Sequence, residues 1–351
     1  MTAQTLTTSR PRRARRALAP VLALVLAGAG AACAQESGDA GVTIDDGGGD
    51  GSERGGDARF SATSEFLASA AAQSSAEPFR IEMDMAVSAM GTDIDADNLL
   101  VGQTDGDLGS FTMDFSAMFE DAPGASEMFG DAEPTMDIVT DGTALYMRSA
   151  IFATLADAGV TDEDLGPMAA VAELGDQWGR VDLDALGEDV SLSDVASSTG
   201  AQAADPHAFL DMVTNATDPH ELGSDTLRGD HVQGIGATIT FGDMLEAEGQ
   251  DAGSYLDSAG TSGGLGAAAS QAVFDTEMPV EVWVDDDGHV RQVVVSMDMD
   301  QVMGSLDAPG ASASLELTMD FFDYSDPTIA IEVPTESVDI TDAYAELLTQ
   351  D

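Results

Sequence analysis

Four sets of residues in this 351-residue chain have types and spacing that could do chemistry. Gly260-Thr-Ser262-Gly-Gly264 matches G-x-S-x-G, in which a serine held on a tight strand-to-helix turn serves as a nucleophile. That turn needs a buried strand before it. The lead-in here is Tyr255-Leu-Asp-Ser-Ala259, inside a Gly/Ala/Ser-rich stretch, so a loop is expected instead. Asp93-Ile-Asp95-Ala-Asp97-Asn98 starts like a calcium loop, but its sixth position is Asn98 where glycine is needed and its twelfth is Thr104 where glutamate is needed. Asp285-Asp286-Asp287-Gly288 reads as a hairpin turn whose carboxylates could touch a cation. With 65 acids in the chain, such clusters arise without a metal, and no metal site is assigned. The four histidines, His207, His220, His231 and His289, lack metal-binding spacing and are expected to be solvated at turns and strand ends. No residue is assigned a catalytic role, no cofactor is implied, and the chain is not read as an enzyme. The basic residues support that view: all 12 are Arg, which removes a P-loop lysine, a pyridoxal Schiff base and any lysine nucleophile.

The fourth set is a single residue, Cys33, the only cysteine. Residues 1–16 carry five Arg and no acid, the apolar run Ala17–Leu26 follows, and Gly30-Ala31-Ala32 lead into Cys33. A basic region, a short apolar region and a small-residue site together read as a secretory signal, too short to span a bilayer. The residues before Cys33 resemble a bacterial lipobox, in which cleavage precedes the cysteine and its sulfur receives a diacylglyceryl group. Gly30 stands where lipoboxes usually have leucine. With one cysteine no intramolecular disulfide can form, so the fold must rest on its core. Loss of residues 1–32 takes five Arg and no acid, moving the formal charge from -53 to -58. Such a chain is a poor partner for nucleic acid, and anionic headgroups repel it. Retention at the extracytoplasmic face of the cell membrane would then rest on the acyl chains of Cys33.

Three segments follow: a lipoprotein signal peptide over 1–32, the lipidated cysteine with a Gly/Asp/Ser-rich linker over 33–58, and one domain over 59–351. As a flexible coil the linker spans on the order of 25–30 Å. In the domain, apolar spacing predicts a helix at 61–72 and another from Asp205, capped by Asp205 with Pro206 at its first position. Strand patterns outnumber them. Phe79, Ile81, Met83, Met85 and Val87 alternate with Arg80, Glu82, Asp84, Ala86 and Ser88, and Phe111, Met113, Phe115 and Ala117 repeat the period of two. Further strands are expected at 137–148 as a hairpin turning at Asp141-Gly142, and at 230–241, 280–283, 290–299, 315–324 and 329–333. Residues 243–272 read as weak helix and loop. Many antiparallel strands with interposed helices make an α+β domain.

Methionine is the unusual component, at 17 residues, many on strand positions. Its flexible thioether suits either core filling or a wall against a flexible apolar ligand. The candidate wall comprises Met83, Met85, Phe111, Met113, Phe115, Met297 and Met299. Burying an acyl chain against it gains about 0.8 kcal/mol per CH₂, without any chemistry.

The order of motifs in the second half resembles a known family. The pieces are His231-Val-Gln-Gly234-Ile-Gly-Ala-Thr238-Ile-Thr-Phe241, Met278-Pro279-Val-Glu-Val-Trp283-Val-Asp285-Asp-Asp-Gly288-His-Val-Arg291, Met319-Asp-Phe-Phe-Asp323-Tyr324-Ser-Asp-Pro327 and Ile331-Glu-Val-Pro334. Upstream, Asp141-Gly142 with Leu145-Tyr146-Met147-Arg148, and Trp178-Gly-Arg180-Val-Asp182, fit the same order. Together they resemble actinobacterial lipoproteins of the LppX/LprG type across residues 60–345. The resemblance implies a strongly curved antiparallel half-barrel with helices packed on its concave face. It also implies an apolar cavity that takes lipid or glycolipid chains, and a role in binding and moving them across the envelope. An alternative is an envelope sensor or interaction lipoprotein of the same fold that docks a protein partner and carries no lipid.

Overall fold

The computed structural model describes residues 70, 77–89, 92–117, 134–149, 174–186, 213, 216, 218–240, 242, 274–298, 300 and 313–348. The signal segment, Cys33, the linker and Gly260–Gly264 lie outside the described residues, as do His207, Met299 and nearly all of 61–72, 205–216 and 243–272.

Twelve strands make one curved, unclosed sheet. In chain order they are β1 (Phe79–Ala89), β2 (Thr92–Asp105), β3 (Leu108–Asp114), β4 (Thr135–Thr140), β5 (Ala144–Ser149) and β6 (Gly179–Asp182), then β7 (His220–Leu227), β8 (Asp230–Thr240), β9 (Glu277–Asp285), β10 (Val290–Asp298), β11 (Ala313–Phe322) and β12 (Val338–Asp339). One helix, α1 (Thr341–Leu348), follows. Across the sheet the order is β12-β6-β5-β4-β3-β2-β1-β11-β10-β9-β8-β7. All ladders are antiparallel except that of β12 with β6, so the sheet is mixed and not purely antiparallel as expected. Helices are few among the described residues. Ala70, Val213 and Phe274, each helical and buried, share the core of the sheet's apolar face.

The register explains that core. Directly opposed residues of an antiparallel pair point to the same face. Met83 opposes Leu100 on β2 and Met319 on β11, and Ile81 opposes Gly102 and Phe321. One face of the sheet is therefore apolar, and the other carries the alternating Arg80, Glu82, Asp84, Ala86 and Ser88. At Gly102 the missing side chain matters, because a Cβ there would lie 2.2 Å from the ring of Phe111, which covers β2 at that point.

Two expectations are corrected by this ladder. Asp93–Asn98 is not a loop but the first half of β2. The β1–β2 register slips between Met83 and Met85, a bulge that places Asn98 at φ 56 and lets its backbone N–H donate to Asp84 at 2.6 Å. Its carboxylates lie exposed along a strand instead of converging, with Asp93 accepting from Ser88 at 2.7 Å. Residues 329–333 form no ladder. Both neighbours of β11 are already taken by β1 and β10, so after Phe322 the chain turns through Asp323 (φ 54) and Ser325 (φ 56) and crosses the polar face. There Ile331 and Val333 pack on Val139, Ala144 and Tyr146 beside Trp178. The strap ends as β12, whose Val338 N–H donates to Trp178 at 2.8 Å.

The hairpin at Asp141-Gly142 forms as expected, between β4 and β5, with Gly142 at φ 80. Asp141 Oδ1 accepts from Thr143 N (3.0 Å), Thr143 Oγ1 (2.8 Å) and Ala144 N (2.8 Å). Partial burial raises the pKa of Asp141, but the bonds from Thr143, Ala144 and Tyr146 outweigh it and hold the carboxyl below its ordinary value of 3.8. A depressed carboxyl stabilises the fold above its unfolded pKa, and that contribution is lost as pH falls through the folded one. Asp141→Ala is expected to cost about 1–2 kcal/mol at pH 7, through lost hydrogen bonds. The gap from wild type shrinks below the ordinary value of 3.8, as urea titrations at pH 7 and pH 3 would show.

Candidate binding face

The residues singled out as a wall do share a face. Met83 and Met85 of β1 and Phe111 and Met113 of β3 all belong to one core, with Phe115 just past β3. Met297 of β10 packs against them, and Met299 lies outside the described residues. What binds these positions together is cross-strand pairing. Met136, Met113, Leu100, Met83, Met319, Val293, Val282 and Ile235 are successive direct partners, a single row over eight strands from β4 to β8. At the usual strand spacing the row is roughly 34 Å long. Of these eight only Met83 and Met113 were among the expected wall residues. For Leu100 the reason is the bulge, since Asp-Asn-Leu-Leu breaks the alternation that would have marked it.

Burial along the face is uneven. Met83 and Met85 are each 3% exposed, Met113 is 6% and Phe115 9%, so the centre is closed over by packing. Toward one end, Ile94 on β2, Val295 and Met297 on β10, and Leu315 and Leu317 on β11 are only partly buried. At that same end of the strands a groove of about 700 Å³ opens. Its lining is mainly polar-face: Ala86, Ser88, Pro279, Ser296 and Ser314 with the carboxylates of Asp93, Asp95, Glu277, Asp298, Asp300 and Glu316, joined by Val87, Met297 and Leu315. No arginine and no histidine is among these described residues of the lining.

The opposite end of the strands is tied by ion pairs. Arg80 meets Asp323 at 2.5 Å and Asp326 at 3.5 Å, and Arg228 meets Glu82 at 2.5 Å and Asp320 at 3.3 Å while lying 4.0 Å over the ring of Phe322. Arg228 sits in the two-residue turn between β7 and β8, with φ 50 before Gly229 at φ 102. β8 and β1 stand four places apart, roughly 19 Å in a flat sheet, so the contact depends on the sheet's curvature. Burial lowers the Arg228 pKa, but the hydrogen bonds and charges of Glu82 and Asp320 outweigh it and leave it raised.

Asp285, considered as a cation ligand, is consumed by its own hairpin. Its Oδ1 accepts from Asp287 N (3.0 Å) and His289 N (2.8 Å), while Oδ2 faces Arg291 Nε at 3.2 Å and His289 Nδ1 at 3.3 Å. His289 is not solvated as expected: its side chain is 13% exposed and its ring stacks on Tyr324 at 4.3 Å. Packing against that ring outweighs solvation. His220 and His231 are exposed. Among the described residues, no group of three or more His, Cys, Asp or Glu converges as a metal site. No helix there is long and apolar enough to cross a membrane.

No family model and no curated protein matches the chain. Several solved structures are similar to it, three of them as follows. LprF from Mycobacterium bovis shares 9% identity, covering 79% of this chain and 98% of that one, with a TM-score of 0.36. The lipoprotein LppX from Mycobacterium tuberculosis shares 9%, covering 76% and 98%, with a TM-score of 0.33. A DUF1329 family protein from Desulfovibrio piger shares 8%, covering 77% and 95%, at 0.21. The first two are of the LppX/LprG type that the sequence motifs resemble.

Proposed function

We propose that the chain is a non-enzymatic envelope lipoprotein, anchored through acylated Cys33, that holds a lipid or glycolipid against the apolar face of its sheet. In this reading helices pack on the concave side, leaving room between them and the strands for acyl chains. The observation that carries it is the unbroken apolar row from Met136 to Ile235, beside which the face loosens at one end of the strands into the half-buried Ile94, Val295, Met297, Leu315 and Leu317. Such a row can follow a flexible chain, and methionine adapts to a ligand of variable shape. Cys33 supplies the anchor, and the linker lets the acidic body stand off from an anionic bilayer.

One observation favours a second reading, an interaction or sensor lipoprotein without cargo. Met83, Met85 and Met319 are at most 3% exposed, which is the burial of an ordinary packed interior. The two readings differ in one measurement. Native mass spectrometry of residues 33–351 carrying Cys33→Ser, purified from an actinobacterial host and followed by organic extraction, is expected to show discrete added masses that extract as lipid. A clean unliganded mass that also refuses acyl chains offered in vitro overturns the carrier reading and leaves the second.

A further inference from the structure

We propose that Asp323–Ser325 is a strained hinge from which the strap opens, and that a proton on His289 holds it shut. The strap thereby becomes sensitive to pH, with or without a lipid cargo.

The strain is local. Asp323 and Ser325 stand at φ 54 and φ 56, a region that a residue with a side chain enters at a cost, and they flank Tyr324. Such a turn persists only where its surroundings hold it. Here Tyr324 OH donates to the Val290 carbonyl at 2.6 Å, and Arg80 holds Asp323. Ser325 N–H donates to the Pro78 carbonyl at 2.8 Å, and Ser325 Oγ donates to Glu77 at 2.6 Å. The ring of Tyr324 stacks on His289, with centroids 4.3 Å apart and planes at 21°.

His289 sits between two carboxylates. Its Nδ1 lies 3.3 Å from Asp285 Oδ2, and its Nε2 lies 3.6 Å from Glu77 Oε2. Nε2 is buried, and no hydrogen bond reaches it from the described residues. A neutral imidazole has one N–H, so whichever nitrogen carries it, the other turns a lone pair toward an ionised carboxylate. The imidazolium has two and donates to both sides. It also sets a cation on the face of the Tyr324 ring. Because Glu77 in turn holds Ser325, the charged ring links the β9–β10 hairpin, the segment leading into β1 and the first residues of the strap. Arg291 of β10 also faces Asp285 Oδ2, at 3.2 Å, and its charge opposes a second cation there. Asp230 of β8 pairs with Arg291 and offsets it, while Asp323 and Arg228 act on it through space. On the outer side of the hairpin, His231 and Asp286 pair with each other at 3.2 Å. The clamp is complete below the pH at which His289 gives up its proton and incomplete above it. Strain at Asp323 and Ser325 then favours opening, which lifts Ile331 and Val333 from Val139, Ala144 and Tyr146.

The test is hydrogen–deuterium exchange of the mature chain (residues 33–351, Cys33→Ser) at about pH 5.5 and about pH 7.5, the range over which histidine ordinarily changes charge. Each rate is divided by the intrinsic chemical rate at that pH. Peptides covering 325–340 are expected to exchange about tenfold faster at the higher pH, the loss of one charge-assisted hydrogen bond, while those of β1 and β11 stay unchanged. His289→Gln keeps a donor of similar size that cannot be charged, and its strap is expected to exchange at the faster level at both pH values. Glu77→Gln keeps His289 and removes one carboxylate, and it is expected to shrink the pH dependence, so the role of the pair stays measurable if the first variant folds poorly. A wild-type strap whose normalised exchange ignores pH overturns the proposal. Undiminished pH dependence in either folded variant overturns the part played by His289 and Glu77. Faster exchange across the whole sheet, instead of the strap alone, overturns the hinge.

Discussion

Phe321→Ala is expected to destabilise the protein by about 3–5 kcal/mol, the range for removing a large aromatic side chain from a packed interior. Phe321 is 1% exposed and stands on the apolar face of β11, directly opposite Ile81 of β1. Its ring meets that of Phe79 edge-on, with centroids 5.7 Å apart and planes at 67°. That geometry adds to the burial of area. β1 and β11 sit in the middle of the sheet order, so a cavity between them is walled by elements that cannot collapse inward without breaking ladders on both sides. Urea unfolding followed by the fluorescence of Trp178 and Trp283 measures the loss, provided one cooperative transition is seen. A loss under about 1 kcal/mol would mean that the site relaxes freely and that the centre of the face is not close-packed.

The second large effect concerns the strap. Ending the chain at Phe322 is expected to abolish cooperative folding. The strap is fixed along its whole course. Ser325 N–H donates to Pro78 at 2.8 Å, Arg80 holds Asp323 and Thr328, and Gln103 Nε2 donates to Ala330 at 2.8 Å. Ile331 and Val333 then cover Val139, Ala144 and Tyr146. Beyond β12, Ile340 and Tyr344 are each 6% exposed in the main core, and Thr341 Oγ1 accepts from Asp182 N at 2.9 Å. Full burial of a large apolar side chain contributes about 1.5–3 kcal/mol, so Ile340 and Tyr344, with a smaller share from the half-buried Ile331 and Val333, reach the lower part of the 5–15 kcal/mol that a whole domain usually has. The milder Ile331→Ser/Val333→Ser pair keeps the main chain and is expected to cost about 2–3 kcal/mol, half-buried residues counting for less. A truncated chain with an unchanged urea midpoint would refute the strap's structural role. The strap also joins distant parts of the sheet, leaving β11 near its middle and adding to its far edge beside β6. Losing it should therefore loosen the curvature as well as the core.

Much of this architecture was legible in the residues because a strand with one wet face imposes a period of two. β1, β8, β9, β10 and β11 each fall where alternation placed them, and Asp-Gly marked the β4–β5 turn because only a residue tolerant of positive φ suits it. β2 was misread because the bulge opposite Met83–Met85 offsets its pattern, leaving Leu99 and Leu100 adjacent and both buried. β7 had no pattern to read. Of His220–Leu227 only Leu227 is even half-buried, so this edge strand is held by its ladder to β8 and not by apolar contacts. The strap alternates like a strand, but hydrogen-bonding partners decide whether an extended chain is a strand, and those were spent on β1 and β10.

For the candidate site the division is similar. By itself the sequence determined that strands such as β1 and β3 have an apolar face, that methionines fall on it, and that acids outnumber bases 65 to 12. These are properties of composition and local spacing, which need no neighbours to be true. The tertiary structure alone decided that Met136, Met113, Leu100, Met83 and Met319 form one row, because register joins residues up to 236 positions apart. It alone decided that every arginine after Phe60 faces a carboxylate, since pairs such as Arg228 with Glu82 depend on how far the sheet curves. Net charge sums over the chain, whereas an ion pair requires two side chains to meet in space.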